Sequence, residues 1–144
     1  MTPERATYGG RTLVVDKSAW ERAGQPSVKP AWVAAMRSGQ LTLCSVTKLE
    51  ILYSTRGASD LARLAHALDQ LRHVPVDEGV FRSARDAMTA LAERGSHRIP
   101  IVDYLVAACA QERSLDVLHY DRHFDLLAGV LAFESVWVAA AGSL

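Results

Sequence analysis

The apolar positions of the 144-residue chain fall into two kinds of pattern. Short unbroken apolar runs, several of them rich in β-branched residues, are typical of strands buried on both faces of a sheet. Longer segments between them carry apolar residues three and four positions apart, which is the spacing of one helix face. The short runs predict strands over residues 12–15, 41–46, 73–76, 117–120 and 133–138. The periodic segments predict helices over residues 31–37, 47–54, 61–71, 77–93, 121–127 and from residue 100 onwards.

The alternation of strands and helices predicts the architecture. Strands joined by helical crossovers pair in parallel, and the helices then cover both faces of the sheet. With 49% hydrophobic residues, the chain is long enough for one compact domain with a sizeable core, whereas two domains would each be marginal. We therefore expect a central, mostly parallel sheet of four to five strands in one α/β domain over residues 12–144. The polar lead-in over residues 1–11 is a candidate for disorder.

Charge, hydropathy and cysteine content narrow the functional classes. The 16 basic and 16 acidic residues cancel, so any binding of nucleic acid must depend on a local patch rather than on the net charge. No apolar run approaches the roughly 20 residues of a membrane span, and the N-terminus lacks the apolar centre of a signal peptide, which favours a cytoplasmic protein without a membrane partner. Cys44 and Cys109 lie in apolar stretches, and we expect buried free thiols rather than a disulfide.

Acidic residues stand at or just after the ends of predicted strands. Asp16 and Asp121 end apolar runs, Glu50 lies about one turn into the helix that follows the second strand, and Asp103 lies in the first turn of a later helix. In a parallel sheet the carboxyl ends of the strands and the starts of the following helices share one edge. We therefore expect these four carboxylates to converge there. Asp125 is four residues after Asp121, would share its helical face and is a candidate fifth member.

Carboxylates gathered in one cleft predict a metal site. They repel one another strongly where water does not screen them, and a hard divalent cation offsets that repulsion. Oxygen ligands favour Mg²⁺ or Mn²⁺, as one ion or two, over Zn²⁺. Such an ion polarises phosphate and activates water, which predicts phosphodiester hydrolysis. Each acid alone also has a simpler interpretation: Asp16 and Asp121 as caps, Thr47 with Glu50 as a Thr-x-x-Glu capping box, and Asp103 as a partner of the helix dipole.

Four stretches around these acids resemble, in order, the four motifs of the PIN domain. They are Val14-Val15-Asp16-Lys17-Ser18-Ala19-Trp20, Ser45-Val46-Thr47-Lys48-Leu49-Glu50-Ile51, Ile101-Val102-Asp103-Tyr104-Leu105-Val106-Ala107-Ala108 and His119-Tyr120-Asp121-Arg122-His123-Phe124. The chain is most similar to the VapC-type toxins of bacterial toxin–antitoxin pairs, over almost its whole length after residue 11. This resemblance implies a three-layer α/β/α fold and a metal-dependent endoribonuclease.

The resemblance also implies partners and residue roles. A small VapB-type antitoxin would hold the enzyme inactive, the substrate would be a structured RNA such as tRNA or ribosomal RNA, and the chain would form a homodimer and a toxin–antitoxin hetero-oligomer. The residues implied in catalysis and metal binding are Asp16, Glu50, Asp103 and Asp121, with Asp125 as a less constant extra acid. Ser18 would support the first acid or a metal-bound water, and Thr47 is the second predicted supporting hydroxyl.

Basic residues and histidines near the acids have weaker assignments. The following cations would contact RNA phosphate or compensate the acidic charge: Lys17, Lys48, Arg98 and Arg122. Lys17 departs from the resemblance, because a small hydroxyl residue is usual there. An ion pair with a neighbouring carboxylate, a contact with RNA and an outward orientation all stay open for it. For His119 and His123 we predict core or surface roles, with an RNA contact by His123 as the alternative.

Two other functions compete with the nuclease interpretation. A phospho-acceptor receiver domain also combines a parallel sheet, edge acids and Mg²⁺, and Asp77 could serve as its acceptor. That design needs paired acids after the first strand and a lysine after the fifth, and the chain has neither. A PIN-like module without catalysis would only bind an antitoxin or RNA. The presence of all four acids argues against such decay.

Overall fold

The computed structural model describes residues 7–144 of the chain. The expectation of a disordered lead-in therefore falls partly on residues 1–6, which lie outside the described residues. Residues Thr7–Gly10 form a short 3₁₀ segment. The side chain of Gln40 donates to the carbonyl oxygens of Thr7 (2.7 Å) and Arg11 (3.0 Å), and Arg11 pairs with Glu134. These contacts attach the described part of the lead-in to the domain.

Five strands form one parallel sheet in the order β3-β2-β1-β4-β5. They are β1 (Leu13–Val15), β2 (Leu41–Cys44), β3 (Arg72–Val74), β4 (Asp116–His119) and β5 (Ser135–Trp137). Val14 of the central strand lies opposite Thr42 on one side and Val117 on the other. All residues of β1 and β2 are buried, as their unbroken apolar runs predict. All five predicted strands are therefore present, and every pairing is parallel.

Helices cover both faces of this sheet. They are α1 (Lys17–Trp20), α2 (Lys29–Arg37), α3 (Ser45–Tyr53), α4 (Ala58–Leu68), α5 (Glu78–Glu93), α6 (Ile101–Arg113) and α7 (His123–Ala128). Val14 and Val117 face one apolar core with residues of α5, α6 and α7, whereas Leu13 and Leu118 face a second core with residues of α1 to α4. This division into two cores confirms the predicted α/β/α sandwich. None of the helices in residues 7–144 is both long enough and apolar enough to cross a membrane.

The start of α3 differs from the prediction. The strand was expected to continue to residue 46, but α3 begins at Ser45, directly after β2, with the extended Cys44 as its N-cap. Thr47 is therefore the third residue of the helix and does not cap it, so the capping-box interpretation of Thr47 and Glu50 is wrong. Cys44 and Cys109 are buried free thiols, as predicted, and their sulfurs lie 3.2 Å apart.

Candidate metal centre

Two of the predicted acids meet a histidine at the carboxyl edge of the sheet. Asp103 lies in the first turn of α6, Asp121 follows β4, and His123 is the first residue of α7. Nδ1 of His123 lies 3.0 Å from Oδ2 of Asp103 and 3.3 Å from Oδ1 of Asp121. The three residues each offer one ligand atom, and these atoms all lie within 4.8 Å of one another. This spacing brings them close enough to share a metal ion.

Asp16 is held at the same edge by its own backbone turn. It is the N-cap of α1, directly after β1, and is 5% exposed. Its Oδ2 accepts hydrogen bonds from the backbone N–H (3.0 Å) and the hydroxyl (2.6 Å) of Ser18. The Ser18 hydroxyl oxygen in turn accepts from the backbone N–H of Tyr120 at 2.9 Å. Ser18 therefore joins the ends of β1 and β4 and orients the Asp16 carboxylate.

The pKa shifts of Asp16 and Asp103 show that the edge acids act on one another. Burial, followed by the charge of Asp16, raises the pKa of Asp103 to about 7. A hydrogen bond from His123 opposes this pKa shift, and the charge of Asp121 adds to it. Burial also raises the pKa of Asp16, against the hydrogen bonds from Ser18 and with a further contribution from Asp121. Since such effects weaken quickly with distance, the three acids lie in one electrostatic neighbourhood.

Glu50, in the second turn of α3, belongs to this neighbourhood. Burial, followed by the charge of Asp16, raises its pKa, and the charge of Lys17 opposes the shift. Among the described residues, Oε1 of Glu50 and Oγ1 of Thr47 are buried side-chain atoms without a hydrogen-bond partner. An unpaired buried carboxylate oxygen is costly, and a cation shared with Asp16 would satisfy it. Carboxylate oxygens are the ligands that Mg²⁺ and Mn²⁺ prefer, so this group of acids fits either ion, while Nδ1 of His123 is engaged with Asp103.

Asp125, the candidate fifth acid, lies in a different setting. Because α7 begins at His123, Asp121 precedes the helix, and the expectation that Asp121 and Asp125 share a helical face is wrong. Oδ1 of Asp125 accepts hydrogen bonds from the Ser135 hydroxyl at 2.6 Å and from Nε1 of Trp137 at 3.2 Å. A ligand role for Asp125 stays a prediction.

Of the four basic residues predicted to contact RNA, two form ion pairs and two are exposed. Nζ of Lys17 lies 3.5 Å from Oε1 of Glu21, which matches the ion-pair interpretation left open for this residue. Lys48 pairs with Asp69, which follows α4. The two remaining cations are exposed: Arg98 and Arg122. A contact with RNA stays a prediction for all four.

The two histidines of the fourth motif differ in their surroundings: His119 lies in the core, and His123 contacts acids of the candidate metal centre. His119 is fully buried, and this burial lowers its pKa to about 4, so it is a neutral core residue, as predicted. His123 lies between two acids of the candidate centre, a position that sequence reasoning did not assign. The available signal was its spacing, two residues after Asp121 and at the start of a short helix.

Asp77, the acceptor candidate of a receiver-like domain, has a structural role. Its Oδ1 accepts from the backbone N–H of Val80 at 3.0 Å and so caps α5. Its Oδ2 lies 3.2 Å from the guanidinium of Arg113. The carboxylate is engaged in a cap and an ion pair, so no observation favours the receiver-like function.

Sequence comparison finds a family model and several relatives that match most of the chain. A model described as PIN domain matches residues 13–130. Ribonuclease VapC18 of Mycobacterium tuberculosis (strain ATCC 25618 / H37Rv) is 36% identical over 133 residues, which covers 90% of this chain and 97% of that protein. Ribonuclease VapC21 of Mycobacterium tuberculosis (strain CDC 1551 / Oshkosh) is 33% identical over 132 residues, covering 90% and 96%.

Solved structures show the same fold at lower identity. VapBC-5 from Mycobacterium tuberculosis, a member of the VapBC family of toxin–antitoxin systems, matches with a TM-score of 0.63 at 22% identity and covers 87% of this chain and 97% of that one. DNA-bound VapBC from Salmonella typhimurium matches with a TM-score of 0.73 at 15% identity, covering 90% and 99%. Both likenesses support the α/β/α architecture described above.

Proposed function

Because the chain belongs to the PIN-domain family, in its VapC branch, we propose that it is a metal-dependent endoribonuclease and the toxin of a toxin–antitoxin pair. The proposal is supported above all by one observation: at the carboxyl edge of the sheet, ligand atoms of Asp103, Asp121 and His123 lie within 4.8 Å of one another, and the buried Asp16 ends the neighbouring strand. The proposed catalytic and metal-binding residues are Asp16, Glu50, Asp103 and Asp121, with Mg²⁺ or Mn²⁺ as one ion or two.

The residues of the chain would each contribute in a defined way. A bound divalent cation would polarise the phosphate and activate water for attack on phosphorus. Ser18 orients the Asp16 carboxylate by donating two hydrogen bonds to Oδ2. His123 holds Oδ2 of Asp103 at Nδ1, and the same ring nitrogen approaches Asp121. These contacts fix the acids before substrate arrives, so little reorganisation is needed on binding.

Cleavage assays with conservative variants test the nuclease proposal. Asp16→Asn and Asp103→Asn keep the shape of the side chain but remove its charge, and we expect both to abolish cleavage of total cellular RNA while circular dichroism stays native. Wild type should lose activity in excess EDTA and regain it with Mn²⁺. Asp86→Asn, an exposed acid on α5, is the matched control and should cleave like wild type. Undiminished cleavage by either edge variant, or in EDTA, would overturn the proposal.

The antitoxin and the RNA belong to the same proposal. Several solved structures with this fold are toxin–antitoxin complexes by description, which supports a VapB-type partner and a hetero-oligomer. We also propose a homodimer of this chain. We propose a tRNA or ribosomal RNA substrate in the cytoplasm. Sequencing of RNA ends after brief expression would identify the cleaved bond. Ends that also arise with Asp16→Asn would not be products of this site.

A further inference from the structure

A cavity of about 460 Å³ opens beside the candidate metal centre. Asp121 forms part of its lining together with Tyr120, Arg122, Asp125 and Trp137. Its volume falls in the range of about 300–1,000 Å³ that is usual for small-ligand sites. Among these residues, Asp121 belongs to the proposed metal centre, and Arg122 and Asp125 have predictions that stay open. The cavity as a whole, with the aromatic rings of Tyr120 and Trp137, has no role in the proposed function.

The side of the cavity formed by Asp125 and Trp137, which we call the far wall, is held in place by hydrogen bonds. Oδ1 of Asp125 accepts from the Ser135 hydroxyl at 2.6 Å and from Nε1 of Trp137 at 3.2 Å. The indole of Trp137 also packs against the ring of His119, with centroids 4.8 Å apart, and meets Tyr120 edge-on at 5.6 Å. An exposed carboxylate and a half-buried indole are thus held in one orientation.

A hydrogen-bonded chain connects this wall to Asp121. Nδ1 of His119 accepts from the backbone N–H of Asp121 at 3.0 Å. The neutral ring must then carry its proton on Nε2, which lies 2.5 Å from the Ser135 hydroxyl and donates to it. Ser135 donates onward to Asp125, so every donor in the chain has an acceptor. These hydrogen bonds link the wall to the backbone of Asp121, one of the proposed metal ligands.

The cavity's chemistry matches a nucleobase. Aromatic side chains provide stacking surfaces for bases. The guanidinium of Arg22 lies 4.3 Å from the centroid of the Tyr120 ring, and the half-buried indole of Trp137 adjoins Asp125 through its Nε1. Arg122 is an exposed cation that suits a backbone phosphate. Oδ2 of Asp125 accepts from Nε1 of Trp137 at 3.3 Å and, as a carboxylate oxygen, can accept a further hydrogen bond. The carboxylate has no donor, so it favours a base edge with adjacent donors. Guanine presents such an edge, through N1–H and its amino group.

We propose that this cavity binds a base of the RNA, preferentially guanine, that flanks the cleaved phosphodiester. The inference rests on the proposed nuclease function, since it assigns the cavity to the same substrate. The base would contact the indole of Trp137 and donate to Asp125. Asp121, shared by the two sites, would place the adjoining phosphodiester at the metal centre.

A binding experiment without metal tests the cavity separately from the nuclease function. Guanosine, adenosine, cytidine and uridine carry no phosphate, so the acidic edge does not repel them, and each is titrated into wild type in EDTA. We expect guanosine to shift the indole N–H resonance of Trp137 most, while those of Trp20 and Trp32 stay in place. The Trp137 signal is assigned from its loss in Trp137→Phe. No shift at Trp137, or an equal shift by uridine, would overturn the proposal.

Cleavage of a random-sequence RNA pool, with the product ends sequenced, supplies the second arm. Wild type should prefer guanine at one position beside the cut. Trp137→Ala should slow cleavage about tenfold, as expected for loss of one stacked base, and should weaken the preference because it removes the Nε1–H that orients the Asp125 carboxylate. Phe81→Ala, which removes an exposed aromatic side chain on α5, is the control and should retain the preference. Trp137→Phe serves if the alanine variant does not fold, and it should keep part of the preference.

The two arms separate failure of the cavity from failure of the nuclease function. Cleavage that requires metal and Asp16, with no base preference and no Trp137 shift, would overturn the cavity proposal alone. Cleavage that persists in Asp16→Asn would overturn the nuclease proposal, and the nucleoside titration would still decide whether the cavity binds a base.

Discussion

Asp121 and Asp125 are four residues apart, yet they belong to two different kinds of surroundings. Asp121 lies before α7 and faces His123 and a group of acids, whereas Asp125 lies within α7 and faces Ser135 and Trp137. The first carboxylate shares its space with other negative charges. The second is paired with neutral donors. The four-residue spacing suggests that the two acids lie on one helix face. They do not, because α7 begins at His123, after Asp121.

The contrast teaches how a carboxylate's neighbours decide its role. Acids that repel one another in a poorly solvated place are stabilised by a cation, and the partnerless Oε1 of Glu50 is the clearest sign of that need. An acid whose two oxygens both accept hydrogen bonds from neutral donors, as those of Asp125 do, has less to gain from a cation. Such an acid is better suited to form the wall of a binding site, as we propose for Asp125.

The strongest test of this contrast compares the same substitution at both positions. Asp121→Asn should lower the cleavage rate at least about a hundredfold, because loss of a metal ligand should cost more than the roughly 10–100-fold of a supporting contact. Asp125→Asn keeps an acceptor for Ser135 and should cost less than about tenfold. Initial rates on one RNA at saturating Mn²⁺ measure both. Equal losses would indicate that Asp125 is a fifth ligand.

The pH dependence of stability tests whether Asp103 carries a buried charge. Its pKa is raised from 3.8 to about 7 in the folded state. Between about pH 4 and 7 the unfolded chain loses this proton while the folded protein retains it, so stability falls as the pH rises and the full penalty is present above pH 7. In EDTA at pH 8, Asp103→Asn should therefore be more stable than wild type, by on the order of 2 kcal/mol.

The control for this stability measurement is the same pair of proteins under other conditions. Below about pH 4 the difference between Asp103→Asn and wild type should disappear, because the carboxyl group is then protonated in both states. Mn²⁺ should reverse the order at pH 8, since a ligand at a hundred times its Kd adds about 2.7 kcal/mol to the protein that binds it. Equal stabilisation of both proteins by Mn²⁺ would instead favour a PIN-like module without catalysis.

The sequence predicted the fold more completely than the site. The unbroken apolar runs of β1 and β2 and the helical spacing of α4 and α5 are local signals, so the sequence alone predicts five strands and parallel pairing. Asp16 and Asp121 were also placed after the ends of β1 and β4, because the end of a strand is visible in its hydrophobic pattern, although α7 begins two residues after Asp121 and not at it. The hydrophobic pattern does not show in which direction the side chains point beyond the ends of these strands.

His123 and Trp137 illustrate why the rest escaped prediction. The contact of His123 with Asp103 joins residues 20 positions apart, and it depends on where α7 begins. Trp137 lies in the last strand and reaches Asp125 only because β5 pairs with β4, opposite His119. Both positions follow from the packing of separate elements. A pattern in one segment of sequence contains no information about them.

Two serines offer a smaller test of the same contrast. Ser18→Ala removes the hydroxyl that donates to Asp16 and accepts from Tyr120, and we expect about tenfold weaker Mn²⁺ binding, typical of a contact that orients a ligand. Ser135→Ala interrupts the chain from His119 to Asp125 and should leave the Mn²⁺ affinity within about threefold of wild type. Calorimetric titration measures both. A larger loss for Ser135→Ala would mean that the far wall also holds the metal site.

The smallest effect is expected at Lys17, whose ion pair with Glu21 spans one helical turn at the surface. Such pairs contribute about 0.3–0.5 kcal/mol, so Lys17→Ala should change the free energy of unfolding by no more than about that amount.

The salt dependence of RNA binding by Lys17→Ala tests a second role for this residue. If Lys17 served only the pair with Glu21, the variant would show the same salt dependence as wild type. A phosphate contact would instead reduce the slope of log K against log salt by about 1. Because Lys17 lowers the pKa of Glu50, it lies near the metal centre, and we expect the reduced slope. An unchanged slope would assign Lys17 to charge compensation of the acidic edge.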